Sequence, residues 1–216
     1  VETVLEISEF SDGKPATQTG TTGTVTAKLR GPGSGYVAFA DGVARLYIVL
    51  NDTTVDSSFK LSCPEGTRII GARVNGSINR FDAKNADLSR RLTVTGSARY
   101  VKFYDVVDEY PTHVTIGAAA ERGTRLYFND IYRCHFDIAG EVSYFKANSL
   151  AAPQTYHSSF VADSIKTFKV YNWLEHVRVR SKGDIKSFKA GGLNGSAVYA
   201  GLKLGVVGIP FLASES

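Results

Sequence analysis

Apolar and polar residues alternate in short stretches along the chain, with a period of two rather than 3.6. Val25, Ala27 and Leu29 share one side of such a stretch, as do Leu46, Ile48 and Leu50. The pattern predicts half-buried strands over Val1–Ile7, Thr24–Arg30, Tyr36–Ala40, Ala44–Leu50 and Ser58–Ser62. Turn chemistry separates them at Ser11-Asp12-Gly13, the Gly/Pro-rich run 31–35, Asp41-Gly42 and Asn51–Thr54. Connections this short make hairpins, so the first third reads as antiparallel β structure.

Beyond about Thr67 the pattern repeats. Gly76-Ser-Ile-Asn-Arg-Phe-Asp-Ala83 matches Gly140-Glu-Val-Ser-Tyr-Phe-Lys-Ala147 and Gly183-Asp-Ile-Lys-Ser-Phe-Lys-Ala190. Asp163–Val170 is the same unit without its glycine, and weaker copies start at Gly96 and Gly123. Starts at 76, 96, 123, 140, 163 and 183 give a mean step of about 21 residues, a solenoid repeat length. A strand of seven or eight residues is too short to stand alone. Stacked at about 4.8 Å, successive coils pair their backbones and share one core.

The expected fold is therefore all-β: an antiparallel cap over 1–66, then a parallel β-solenoid of about six coils over 67–216. Phe81, Val101, Phe128, Phe145, Phe168 and Phe188 lie five positions after each repeat start and predict an internal ladder. Gly at the repeat start suits a crowded corner. Leu92-Thr-Val-Thr-Gly96, Val114-Thr-Ile-Gly117 and Val177-Arg-Val-Arg180 predict further strands per coil, and Tyr171–Val177 fits a brief helical turn.

Composition agrees: 216 residues with 21 Gly, 11 Tyr, 12 Phe and no Met favour strands and tight turns. The absence of Met even at position 1 suits a chain that begins either after processing or at a boundary within a longer protein. No apolar run reaches the roughly 20 residues of a membrane-spanning helix. Net charge is +4, and residues beyond 74 carry the excess, eighteen Lys/Arg against thirteen Asp/Glu. That is too mild a balance to call for nucleic acid. Cys63 and Cys134 show no metal-ligand spacing and read as core thiols, with a disulfide allowed in a secreted protein.

Gly23-Thr-Val-Thr-Ala-Lys-Leu-Arg-Gly-Pro-Gly-Ser-Gly35, Val49-Leu50 with Thr53-Thr54, and Val74-Asn-Gly-Ser-Ile78 running into Leu92–Ser97 form a recognisable set. With Gly195–Gly201 and Gly205–Pro210 they resemble the repeats of large secreted or surface β-solenoid proteins of planctomycete-type bacteria, with autotransporter-adhesin-like coils. The resemblance implies a secreted or cell-surface protein and transfers no catalytic residue.

One position past the ladder, Lys102, Lys146, Lys169 and Lys189 predict an outward lysine row, with Asp82 and Asn129 in the same register. Tyr100, Tyr127 and Tyr144 precede the ladder residue and add an aromatic edge. Cations beside exposed rings suit an anionic polysaccharide; the simpler reading is a solvated face that keeps sheets apart. His113, His135, His157 and His176 recur at about one coil each but at differing offsets, which divides them between two faces. Asp105, Asp108 and Glu109 form an acidic loop able to hold calcium or supply paired carboxylates, without the spacing of a dedicated calcium loop.

No G-x-S-x-G, P-loop or Cys–His pair is present, and no cofactor is called for. The leading expectation is a non-catalytic extracellular structural protein, a self-assembling surface-layer or filament subunit. It would pair with itself through Val1–Ile7 and Val206–Leu212. The alternative is a carbohydrate-binding or polyuronate-lyase-like β-helix acting on anionic glycans.

Overall fold

The computed structural model describes residues 6–20, 23–40, 45–107 and 110–201. Nineteen strands and no helix occur among them. The first four are β1 (Glu6–Ser11), β2 (Ala16–Gly20), β3 (Gly23–Arg30) and β4 (Ser34–Ala40). The next eight are β5 (Arg45–Thr53), β6 (Ser58–Ser62), β7 (Thr67–Gly76), β8 (Ile78–Ala83), β9 (Ala86–Phe103), β10 (Thr112–Ala118), β11 (Thr124–Tyr127) and β12 (Asp130–Tyr132). The last seven are β13 (Cys134–Ala147), β14 (Ser149–Ala151), β15 (Ser158–Ile165), β16 (Phe168–Glu175), β17 (Val177–Ser181), β18 (Phe188–Asn194) and β19 (Ala197–Tyr199).

From β5 onward the pairing is parallel, and the chain coils through about seven turns of a β-solenoid. The stack thus starts at Arg45, ahead of the change of pattern near Thr67. Asn51–Thr54 accordingly ends no hairpin. β5 and β6 instead lie on different faces of one coil, joined by a corner in which Ser57 N–H donates to the Thr54 carbonyl at 3.0 Å. Strands β1–β4 cap the first coil antiparallel: β4 pairs β5, β3 pairs β6, and Phe10 from β1 lies 5.6 Å from Phe59.

Each coil contributes to three faces. The first runs through β5, β7, the middle of β9, β10, the start of β13, β15, β17 and β19. The second runs through β6, β8, the end of β9, β11, the end of β13, and the starts of β16 and β18. The third comprises the starts of β5, β7 and β9, then Val106, β12, β14 and the ends of β16 and β18. Tyr171–Val177 is therefore extended, not helical, because Trp173–Glu175 pair in register with Gly192–Asn194.

Inward columns fill the core. Ile48, Ala72, Leu92, Val114, Phe136, Phe160 and Val179 line the first face, and Val106, Ile131, Leu150 and Leu174 the third. On the second face the ladder is Phe59, Phe81, Val101, Leu126, Phe145, Phe168 and Phe188. Leu126, not Phe128, occupies the fourth place. The corner glycine of that coil is Gly117, where a Cβ would come within 2.6 Å of the Thr95 carbonyl oxygen. Gly123 lies beyond a turn at 121–122, so counting five positions from it overshoots the ladder by two.

Phe128 is buried all the same. It stacks on Phe103 at 6.1 Å and lies 6.3 Å from Phe145. The aromatic spine thus steps sideways past Val101 and Leu126, through Phe103 and Phe128, and returns to register at Phe145. Phe145–Phe168 (4.5 Å) and Phe168–Phe188 (5.4 Å) are stacked pairs, Phe188 being half-buried in the last of these coils. Cys63 and Cys134 are both free thiols. Val206–Leu212 and most of Val1–Ile7 lie outside the described residues.

Candidate functional site

Alternation fixes what the second face shows to solvent. Residues following the ladder lie on the outer side of the sheet, and parallel register stacks them coil on coil: Lys60, Asp82 (itself buried), Lys102, Tyr127, Lys146, Lys169 and Lys189. The predicted lysines fall into one row. Asn129 does not belong to it; the two-residue offset at Leu126 gives its place to Tyr127. At the upstream end Asp82 is neutralised locally by the Arg80 guanidinium at 2.6 Å. From Lys146 to Lys189 the row holds three lysines in succession with no acid in register.

A second outward row, two positions back, carries Arg80, Tyr100, Arg125 and Tyr144. Tyr127 reaches across to it, so the three predicted tyrosines meet as a stack, with Tyr100–Tyr127 at 5.0 Å and Tyr127–Tyr144 at 5.6 Å. The Arg80 guanidinium covers one end of the stack, 4.6 Å from the Tyr100 ring. Burial raises the Tyr100 hydroxyl above its ordinary range, so it stays a neutral hydrogen-bonding group at neutral pH.

Beside this stack opens a groove of about 550 Å³, with Arg122, Arg125 and Lys166 as its cations, Tyr127 and Tyr144 as its rings and Glu141 as its carboxylate. Downstream, Tyr171 lies under the Lys146 and Lys169 ammonium groups, 5.0 and 4.1 Å from its ring centre. Hydrogen bonds from Lys169 and then Lys146 hold its phenol below the usual range. Arg80, Arg122, Arg125, Lys166 and Tyr171 were not singled out in the sequence. Arg80 and Tyr144 do share the fourth repeat position, a usable signal; Arg125 was hidden by the offset coil.

The histidines form two pairs. His113 and His135 stack on the first face at 5.1 Å, and His157 and His176 face each other at 6.2 Å. His135 Nδ1 pairs with Ser159 Oγ at 2.7 Å and its Nε2 with the Tyr156 hydroxyl. Burial, and then the His113 charge, lower the His135 pKa. Asp105 accepts from the Asp130 N–H at 2.9 Å and the Asn129 amide at 3.0 Å, so it ties one coil to the next. Asp108 and Glu109 lie outside the described residues. No group of three or more His, Cys, Asp or Glu side chains converges as a metal site among the described residues. Burial pushes the Cys63 thiol up to about 11, which leaves it an unreactive thiol at neutral pH.

No protein-family model, curated protein or solved structure matches the chain.

Proposed function

We propose that this chain is a non-catalytic β-solenoid, secreted or at the cell surface, whose second face binds a linear anionic glycan along the solenoid axis. The observation that carries the reading is the acid-free Lys146, Lys169, Lys189 row beside the Tyr100–Tyr127–Tyr144 stack. Like charges one coil apart repel, so the row is a standing cost in the free protein. A polymer bearing one carboxylate per sugar offsets that repulsion along its length. Tyrosine rings offer flat, amphipathic surfaces to the C–H faces of sugars, and their hydroxyls remain available to hydrogen-bond. The groove's volume suits one or a few sugar units. Glu141 is its single carboxylate, whereas glycoside hydrolysis generally uses a pair.

A second reading, a subunit that assembles end to end into a surface layer or filament, is favoured by the last described coil. There Leu193 is 57% exposed and Val198 38%. The two roles are compatible, since one uses the outer side of the second face and the other the coil of β18 and β19.

The test is a glycan array carrying polyuronates, sulfated glycans and neutral glycans, with a turnover assay on the polyuronates. The expected result is retention on anionic glycans, weakening with salt, and no product. Retention on neutral glycans alone would exclude the lysine row as the binding element, and unsaturated product would make the protein a lyase.

A further inference from the structure

Between the lysine face and the third face, the chain turns a corner that carries two exposed rings. Trp173, the only tryptophan, is 59% exposed, and Tyr171 is 46% exposed. Both lie on β16, where the pairing with β18 is interrupted between Val170 and Trp173. The following coil passes this corner with two consecutive glycines. A Cβ at Gly191 would come within 2.2 Å of the Tyr171 carbonyl oxygen, and one at Gly192 within 2.4 Å of two indole ring carbons. Neither glycine has a positive φ, so the requirement is space alone. The indole thus rests on bare backbone at Gly192 while more than half its surface meets water.

Two features make this corner more than a stray apolar patch. Tyr171 is held by the two lysines that begin the acid-free run, with Lys169 Nζ 4.1 Å and Lys146 Nζ 5.0 Å from its ring centre. Lys189, in the same row, sits one coil beyond Lys169 on the strand that also carries Gly191 and Gly192. Two rings on one coil are therefore flanked by cations on that coil and on the coils either side. A partner must offer apolar faces and negative charge alternately at short spacing. A uronate chain does so, with C–H sugar faces and one carboxylate per ring.

We infer that Trp173, seated on Gly192 and flanked by Tyr171, is a stacking platform for a pyranose ring of a uronate-type glycan whose carboxylates lie on Lys146, Lys169 and Lys189. This inference rests on the glycan-binding reading of the second face and adds to it the ligand class and the contact at the corner.

Since Trp173 is the sole tryptophan, its emission reports on the platform alone. Intact protein is titrated with a size-defined oligogalacturonate, following tryptophan emission and, in parallel, heat by calorimetry. The emission should shift saturably with the same midpoint as the heat. Trp173→Ala should weaken binding about tenfold without changing the salt dependence, and Trp173→Phe should recover most of the loss. Gly192→Ala should alter the emission of the free protein and weaken binding. If heat reports binding while emission stays flat and Trp173→Ala binds as the parent does, the platform is wrong and the lysine-row reading stands. If the calorimeter shows no binding, both fall. An emission shift that follows protein concentration without glycan would mark a contact between copies and overturn the platform.

Discussion

The first and second faces share one backbone design and dress it differently. On the first, the outward rows mix their chemistry: Tyr47, Gly71, Arg91, His113, His135, Ser159, Arg178 in one, and Val49, Arg73, Thr93, Thr115, Asp137, Val161, Arg180 in the other. No two Lys or Arg occupy consecutive coils of either row. On the second face Lys146, Lys169 and Lys189 follow one another directly. Stacked like charges cost stability, and the first face shows that this fold can dilute them. We read the lysine run as serving binding, since scattered charges keep a sheet soluble as well. Basic residues do meet in register at His113–His135 in the first of these rows, and at Arg45–Arg68 where β5 and β7 begin.

The largest expected effect separates inside from outside on one strand. Phe168, buried between Phe145 and Phe188, should cost about 3–5 kcal/mol when cut to alanine, read from denaturant unfolding. Next comes the contrast between faces. Replacing Lys146, Lys169 and Lys189 together by Gln should weaken polyuronate binding by about tenfold or more. Replacing Arg73, Arg91 and Arg180 on the first face by Gln should change it by less than about threefold. Equal losses from the two triples would erase the distinction between the faces and leave only general positive charge.

A smaller effect follows from pH. The His135 pKa is lowered in the folded chain, so the unfolded chain binds more protons over the window below the ordinary histidine value. Stability contributed by neutral His135 is present above that value and is lost as pH falls towards the folded pKa. Thermal unfolding from about pH 7.5 to about pH 5.5 should therefore show a falling midpoint, and His135→Gln should flatten part of the slope. A midpoint that rises on acidification would contradict this assignment. Smallest of all, Lys169→Ala should stay within about 0.5 kcal/mol of the parent, because relieved repulsion along the row offsets the lost contact with Tyr171.

Much of this architecture was legible in the repeat. Phe81, Phe145, Phe168 and Phe188 share a spacing from a corner residue, and that spacing survives in the structure because parallel pairing ties each coil to the same register. The lysine row follows from the same register one residue on. Legibility failed where a coil departs from the mean. The turn at 121–122 moved the ladder from Phe128 to Leu126 and brought Tyr127 into the lysine row, and no local propensity announces such a shift. The start of the solenoid was also obscured, because β5 and β6 alternate like hairpin strands and only their partners show that they stack parallel. The groove cations Arg122, Arg125 and Lys166 belong to different coils, so their convergence is a property of the stack rather than of any segment.

The central claim is that one face of this rod recognises an anionic glycan, and lysine acylation with and without polygalacturonate tests it most directly. Each lysine is read separately by peptide mass spectrometry. The account predicts protection at Lys146, Lys169 and Lys189, weaker protection at Lys102, and unchanged labelling at Lys14 on the cap and at Lys182, which pairs with Asp163 at 2.7 Å. Uniform protection across all of these lysines, or protection that spares the Lys146–Lys189 row, would contradict it.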